Sequence, residues 1–549
     1  MKFRSIYQPG SWQWALRRAQ WKALGLKDED FDKPKIAVVN SSSNISICYS
    51  HLDEISKYVQ QGVKEAGGLP FEIRTTAPSD IITSAGKEAR YLMPARDLIV
   101  NDIEVQVEGA LLDGMVCLSS CDKTTPAHLM AAARLNIPTV LVCCGYQLGG
   151  MYESKLYDIE DVYEMVGAYY AGHMDIETFQ KITDVAICGP GVCAGMGTAN
   201  SMQIIAEALG MCLPGNTPIY GGSDKLKKIA VEAGRQAVNC VLSNIRPRDI
   251  INEKSIENAV TVAQAVGASV NCVRHLSALV SEAELDIDVV KLFEEKYGKT
   301  PTLTSIKPNG LTRIEDFEKV GGTLALMKNL APLLNLDTLT VTGKTVRETI
   351  SNVGVPDGNI VRPLEKPFYN HGSLLILRGN LAPLGAIVKV SAVPRNLWLF
   401  KGPARVYEDE EKAIQEIKTI KKGEVVVLRG LGPKGGPGTV FAASFVAAAN
   451  GAGIAPHIAV VTDGELSGLN RGLVVGQVMP EAAEGGPLAV VQDGDMITID
   501  LHKAEITLHV SDLDERLKMW KPKQIPYKRS WLTFYAKLVQ PIYKGAVLG

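Results

Sequence analysis

Three residues of unlike chemistry stand side by side at Cys121-Asp122-Lys123: a soft thiolate donor, a hard carboxylate and an amine. They follow an apolar run, Gly114 to Ser120, that reads as a buried strand, and precede Pro126, which suits the first turn of a helix because its missing N–H costs nothing there. Ligands of open α/β sheets bind at such strand ends. Taken alone, the same residues also fit a cysteine closing a strand and an aspartate capping a helix.

Two more cysteines are predicted in loops between a strand and a helix. Cys48 follows Lys35–Asn40 and the polar loop Ser41 to Asn44, and Cys193 lies in a glycine-rich loop after the apolar run Val185 to Cys188. Their separations are too long for a local metal knuckle, yet neighbouring strand ends of one sheet can bring distant loops together. Thiolates are the ligands that iron–sulfur clusters take, and a cluster held by three of them leaves an iron open as a Lewis acid.

The elements that must position these groups alternate β-α-β-α with apolar strands, the pattern of a parallel sheet covered on both faces. Helices dominate from about residue 225 to 295. Beyond Leu374 strands prevail, among them a predicted strand at 488–492, giving a smaller β-rich, barrel-like domain. We place the domains at residues 1–362 and 363–549. Gly432 to Gly438 is expected to let a backbone approach a ligand closely, and Gly343-Lys344-Thr345 lacks the rest of a phosphate-loop pattern and reads as a turn.

Composition narrows the class. The 549 residues carry 46% hydrophobic and 21% charged side chains and a formal charge of −2, which excludes a nucleic-acid footprint, and no apolar run is long enough to span a bilayer. The ten cysteines include no C-x-x-C pair, so buried thiols and a few metal ligands are expected rather than a disulfide framework. A cytoplasmic location is expected.

Several segments in order, among them Ser120 to Thr124, Gly191 to Met196 with Thr198-Ala199-Asn200, Glu207 to Met211, Gly379 to Pro383, Gly432 to Gly438 and Pro480 to Ala483, resemble the dihydroxy-acid dehydratase family, which includes phosphogluconate and sugar-acid dehydratases. The resemblance implies a hydro-lyase that converts a 2,3-dihydroxy carboxylate to a 2-keto acid, in branched-chain amino-acid biosynthesis, with a sugar acid as the alternative substrate. It further implies a 2Fe–2S cluster on Cys48, Cys121 and Cys193; Mg²⁺ on Asp80, Asp122 and Lys123, the lysine as a carbamate; Ser467 as the base that takes the C2 proton; and a homodimer. One departure stands out: Phe441 occupies the place of a glutamate that supplies a further magnesium ligand in the family, and phenylalanine cannot coordinate a hard cation. Either another acid compensates, with Glu465 the candidate, or water does, or the chain is a non-catalytic homologue.

Overall fold

The computed structural model describes residues 3–84, 89–354, 358–439, 442–467, 471–522 and 529–549. Phe441 lies outside them, as do Ala85 and Gly86 of the loop after Asp80. The polar N-terminal arm contains a helix, Trp12–Ala23, capped by Ser11.

Four parallel strands, β1 (Lys35–Asn40), β2 (Leu69–Arg74), β3 (Gly114–Ser119) and β4 (Thr139–Cys143), form a sheet in the order β2-β1-β3-β4. Strands β1, β3 and β4 are buried along their whole length, because helices cover both faces. The order places β1 and β3 side by side, so the loops after them, which carry Cys48 and Cys121, leave the sheet together. After a short hairpin of β5 (Gly150–Tyr152) and β6 (Lys155–Tyr157), helices account for most of the chain to Ser351.

A closed barrel then follows, of β7 (Leu374–Gly379), β8 (Ala382–Lys389), β9 (Leu399–Tyr407), β10 (Val425–Leu428), β11 (Ala459–Thr462), β12 (Leu473–Met479), β13 (Met496–Asp500) and β14 (Glu505–His509). Its order is β10-β11-β12-β8-β7-β14-β13-β9. Alternate residues of β10 point to different cores: Val425 and Val427 fill the barrel, whereas Val426 and Leu428 pack outward into the apolar mass of the α/β domain. Strands β7, β11 and β12 do the same. On β13 only Ile497 and Ile499 are fully buried, and the alternate residues remain partly exposed. One wall of the barrel is therefore apolar on both faces, and the two domains share a core. Each large aliphatic side chain buried there contributes roughly 1.5–3 kcal/mol.

Two expectations are corrected. Residues 185–188 form no strand: a helix, Ile176–Val185, runs to their start, and Cys188 is exposed. Residues 488–492 contain a 3₁₀ turn, Pro487–Val490, in place of a strand. Both apolar runs are too short for their period to separate strand from helix.

Several of the sequence segments have structural roles. Glu207, buried on the helix Thr198–Leu209, accepts hydrogen bonds from the backbone N–H groups of Gly215 at 2.6 Å and Thr217 at 2.7 Å, and from the Thr217 hydroxyl. Burial raises its carboxyl to about 7. Glu207→Ala should destabilise the fold by about 3 kcal/mol, since an unmet buried donor costs about 1–3 kcal/mol, and chemical denaturation measures it; unchanged stability would refute the role.

The glycine-rich loop at 430–438 approaches the protein's own acids. Glu481 accepts from Lys434 N and Gly435 N, both at 2.9 Å, and a Cβ on Gly432 would lie 2.2 Å from its Oε2. Asp463 accepts from the N–H groups of Gly430, Leu431 and Ala482. These glycines are needed so that the loop can wrap a carboxylate.

Candidate active site

The loops after β1 and β3 bring Cys48 and Cys121 together. The Ser120 hydroxyl donates to the Cys48 carbonyl, and the two thiols hydrogen-bond each other. That bond, with burial, raises the Cys121 thiol well above its usual range. Cys193 comes from a loop between two helices, contrary to the predicted strand end. Asn200 fixes this loop by donating to the carbonyls of Cys193 and Gly195, each at 2.8 Å, which accounts for the Thr198-Ala199-Asn200 segment. Burial, and then the nearness of Cys121, raises the Cys193 thiol. Cys48 works against ionisation of Cys121, and Cys121 against that of Cys193; such thiols suit a soft cation that takes up their charge.

Beside them lie the hard donors. Among the described residues one group of acids and thiols is spaced for a metal ion: the ligand atoms of Asp80, Cys121 and Asp122 lie within 4.8 Å of one another. Asp80 opens the short helix Asp80–Thr83, whose cap is Ser79, so Asp80 itself has no capping duty. It is 5% exposed, and its Oδ1 has no hydrogen-bond partner among the described residues. Burial and the neighbouring Asp122 raise its carboxyl well above the usual range. An orphaned, buried carboxylate oxygen at such a cluster suits a hard cation. Asp122 does not cap either, since the helix after it runs Thr124–Leu135 and the side chain at its cap position, Lys123, makes no capping bond.

Lys123 is fully buried between two carboxylates, Nζ standing 3.3 Å from Asp80 Oδ2 and 3.1 Å from Glu465 Oε1. Burial works to lower the amine, but Asp80, Glu465 and Asp122 outweigh it and hold the proton more firmly than usual. Glu465 is also bound by Arg274, Nη2 to Oε1 2.8 Å. Burial would raise its carboxyl; the two cations prevail and keep it below the usual value. Arg274 is buried, and its Nε and Nη1 have no hydrogen-bond partner among the described residues.

Ser467 lies on the loop after β11 and lines the pocket with Asp80, Asp122, Cys193, Asn200 and the small apolar side chains of Ala443 and Ala447. Asn271 places it: the Asn271 amide donates to the Leu466 carbonyl and accepts from Gln477 at 2.8 Å. Gln477 sits where the β12 register shifts, and Gly476 leaves space for Leu466. Barrel and α/β domain thus meet at the pocket.

Of the seven residues singled out in the sequence, Asp80, Asp122, Cys193 and Ser467 line this pocket, while Cys121 and Lys123 lie against Asp80 and Cys48 lies against Cys121. His51, beside the Cys48 loop, instead bonds the Cys144 carbonyl at 2.8 Å. Sequence reasoning missed Arg274, Glu160 and Lys389, whose burial no local sequence pattern signals.

Fold and site together define a two-domain enzyme whose pocket sets carboxylates and a thiol from the α/β domain against a serine from the barrel domain. The sequence matches the dihydroxy-acid/6-phosphogluconate dehydratase N-terminal domain over residues 33–349 and the C-terminal domain over residues 359–546. It is 41% identical to the dihydroxy-acid dehydratase of Ignicoccus hospitalis over 542 residues, 98% of each chain, and 40% identical to that of Aquifex aeolicus over 554 residues, the full length of both. The chain belongs to this family of dehydratases and is a hydro-lyase.

Proposed function

We propose that this enzyme removes water from a branched-chain 2,3-dihydroxy acid to give the 2-keto acid. The observation that carries the reading is the pocket itself, which brings the carboxylates of Asp80 and Asp122, the Cys193 thiol, Ser467 and the small apolar side chains of Ala443 and Ala447 to one lining. The full-length similarity to dihydroxy-acid dehydratases supports it. The domain boundary at 362/363, a homodimer and a cytoplasmic location belong to the same proposal.

In this reading Cys48, Cys121 and Cys193 hold a 2Fe–2S cluster, and Asp80, Asp122 and Lys123 hold Mg²⁺, with the lysine as a carbamate. Lys123 first gives up its ammonium proton; addition of CO₂ to the resulting amine forms an N–C bond and releases a second proton, so that a cation becomes an anionic oxygen donor. Glu465 supplies the acid that Phe441 does not, and Arg274 holds that acid in place. When bound, the cluster and Mg²⁺ supply Lewis-acid polarisation of the substrate hydroxyls. Ser467 Oγ takes the C2 proton, the C–H electron pair becomes the C2=C3 bond as the C3 hydroxyl departs, and the enol tautomerises to the ketone.

The test is 2-keto acid formation by anaerobically purified protein with Mg²⁺, offering 2,3-dihydroxyisovalerate alongside gluconate, xylonate and arabinonate. Turnover of dihydroxyisovalerate is expected. Preference for an aldonate would move the enzyme to the sugar-acid branch, and no turnover by cluster-loaded protein would overturn the reading.

A further inference from the structure

A serine hydroxyl is a poor base unless something takes its proton. Ser467 also lines a second, small cavity, and among the described residues the other polar side chain on it is Lys389, with Val270, Leu466, Gly472 and Val474 around them. Lys389 is the last residue of β8, 6% exposed, and its Nζ donates to the Met196 carbonyl at 3.2 Å, in the loop that carries Cys193. The amine is thus held at the junction of barrel and cysteine loop.

We propose that Lys389 is the group through which Ser467 loses its proton, acting as a neutral amine. This rests on the reading of Ser467 as the base. Burial lowers the Lys389 amine to about 7, while the charged groups that face it, Glu160 and Cys272, work in the opposite direction. Below about pH 7 the amine carries its proton and cannot accept another. Above it the neutral amine is the dominant form, so activity rises with pH through this range.

The protons balance over one turnover. Lys389 Nζ takes the Ser467 Oγ proton, giving an ammonium and an alkoxide. The alkoxide takes the C2 proton, the C3 hydroxyl leaves with its bonding pair, and the ammonium proton is released to make that hydroxide water. Lys389 and Ser467 return to their starting forms. Acting through Ser467, Lys389 is a positioning and proton-accepting residue.

The experiment is the pH dependence of kcat for the cluster-loaded wild type, Lys389→Arg and Lys389→Met, with cluster absorbance and melting temperature recorded for each. The wild type is expected to show a limb near pH 7. Lys389→Arg keeps a donor for Met196 but cannot deprotonate, so a fall in kcat of at least about a hundredfold and loss of the limb are expected. Because Lys389→Met risks misfolding, the arginine variant decides. An arginine variant that keeps kcat within about threefold and an unchanged limb overturns the proposal, since a positioned proton-transfer group contributes far more than that. Should Ser467→Ala prove fully active, the reading of Ser467 as the base fails instead, separately from the assay of dihydroxyisovalerate turnover.

Discussion

Ser467→Ala is expected to lower kcat on the order of a thousandfold while leaving the cluster spectrum and melting temperature close to those of the wild type. The magnitude follows from the roughly 10²–10⁴-fold contribution of a positioned proton-transfer group. The spectrum should survive because the cysteine loops are fixed within the α/β domain, by Ser120 and Asn200. The fold should survive because Ser467 is only partly buried and the loop is held by the Leu466 carbonyl and side chain. Stopped-time assays of 2-keto acid, paired with visible absorbance, check both halves. Activity within about tenfold of wild type would remove Ser467 from the chemistry.

Glu465→Leu should have the largest effect on stability, a loss of about 3–5 kcal/mol, the usual result of removing one partner from a buried ion pair. Two buried cations, Lys123 and Arg274, share this one carboxylate, and the variant would remove from each its ion pair with Glu465. Glu465→Gln keeps the shape and isolates the charge. For that variant we expect Mn²⁺, used as the paramagnetic probe of the Mg²⁺ site, to bind at least about tenfold more weakly by electron paramagnetic resonance, as for loss of a group that supports a metal ligand. Equal Mn²⁺ affinity in the glutamine variant would show that Glu465 serves only as a counter-ion to Lys123 and Arg274. A wild-type protein that binds no Mn²⁺ would instead count against the metal site as a whole.

The roles of Asp80, Asp122, Lys123 and Ser467 were legible only through the family resemblance, whereas Cys48 and Cys121 could be paired because they follow strands that the sheet order sets side by side. Cys193 was found for a partly mistaken reason, since its loop follows a helix and is held by Asn200. The strands β8, β9 and β12 were harder to read: β12 packs apolar residues on both faces and shows no alternation. Lys389 and Arg274 look like ordinary surface charges in the sequence. Their burial arises where the barrel meets the α/β domain, a contact between segments far apart in the chain that no local pattern encodes.

The barrel wall that packs apolar residues into two cores also bears on how such a chain can be recombined. Exchanged between relatives as a cassette, the barrel would carry half of an interlocking surface, and its outward-facing Ile376, which meets Val290 of the α/β domain beside Gly385, would face a helix layer evolved for other side chains. Chimeras cut at the linker should therefore be unproductive unless the facing helices travel with the barrel, and sequence changes on the two sides are constrained to occur together.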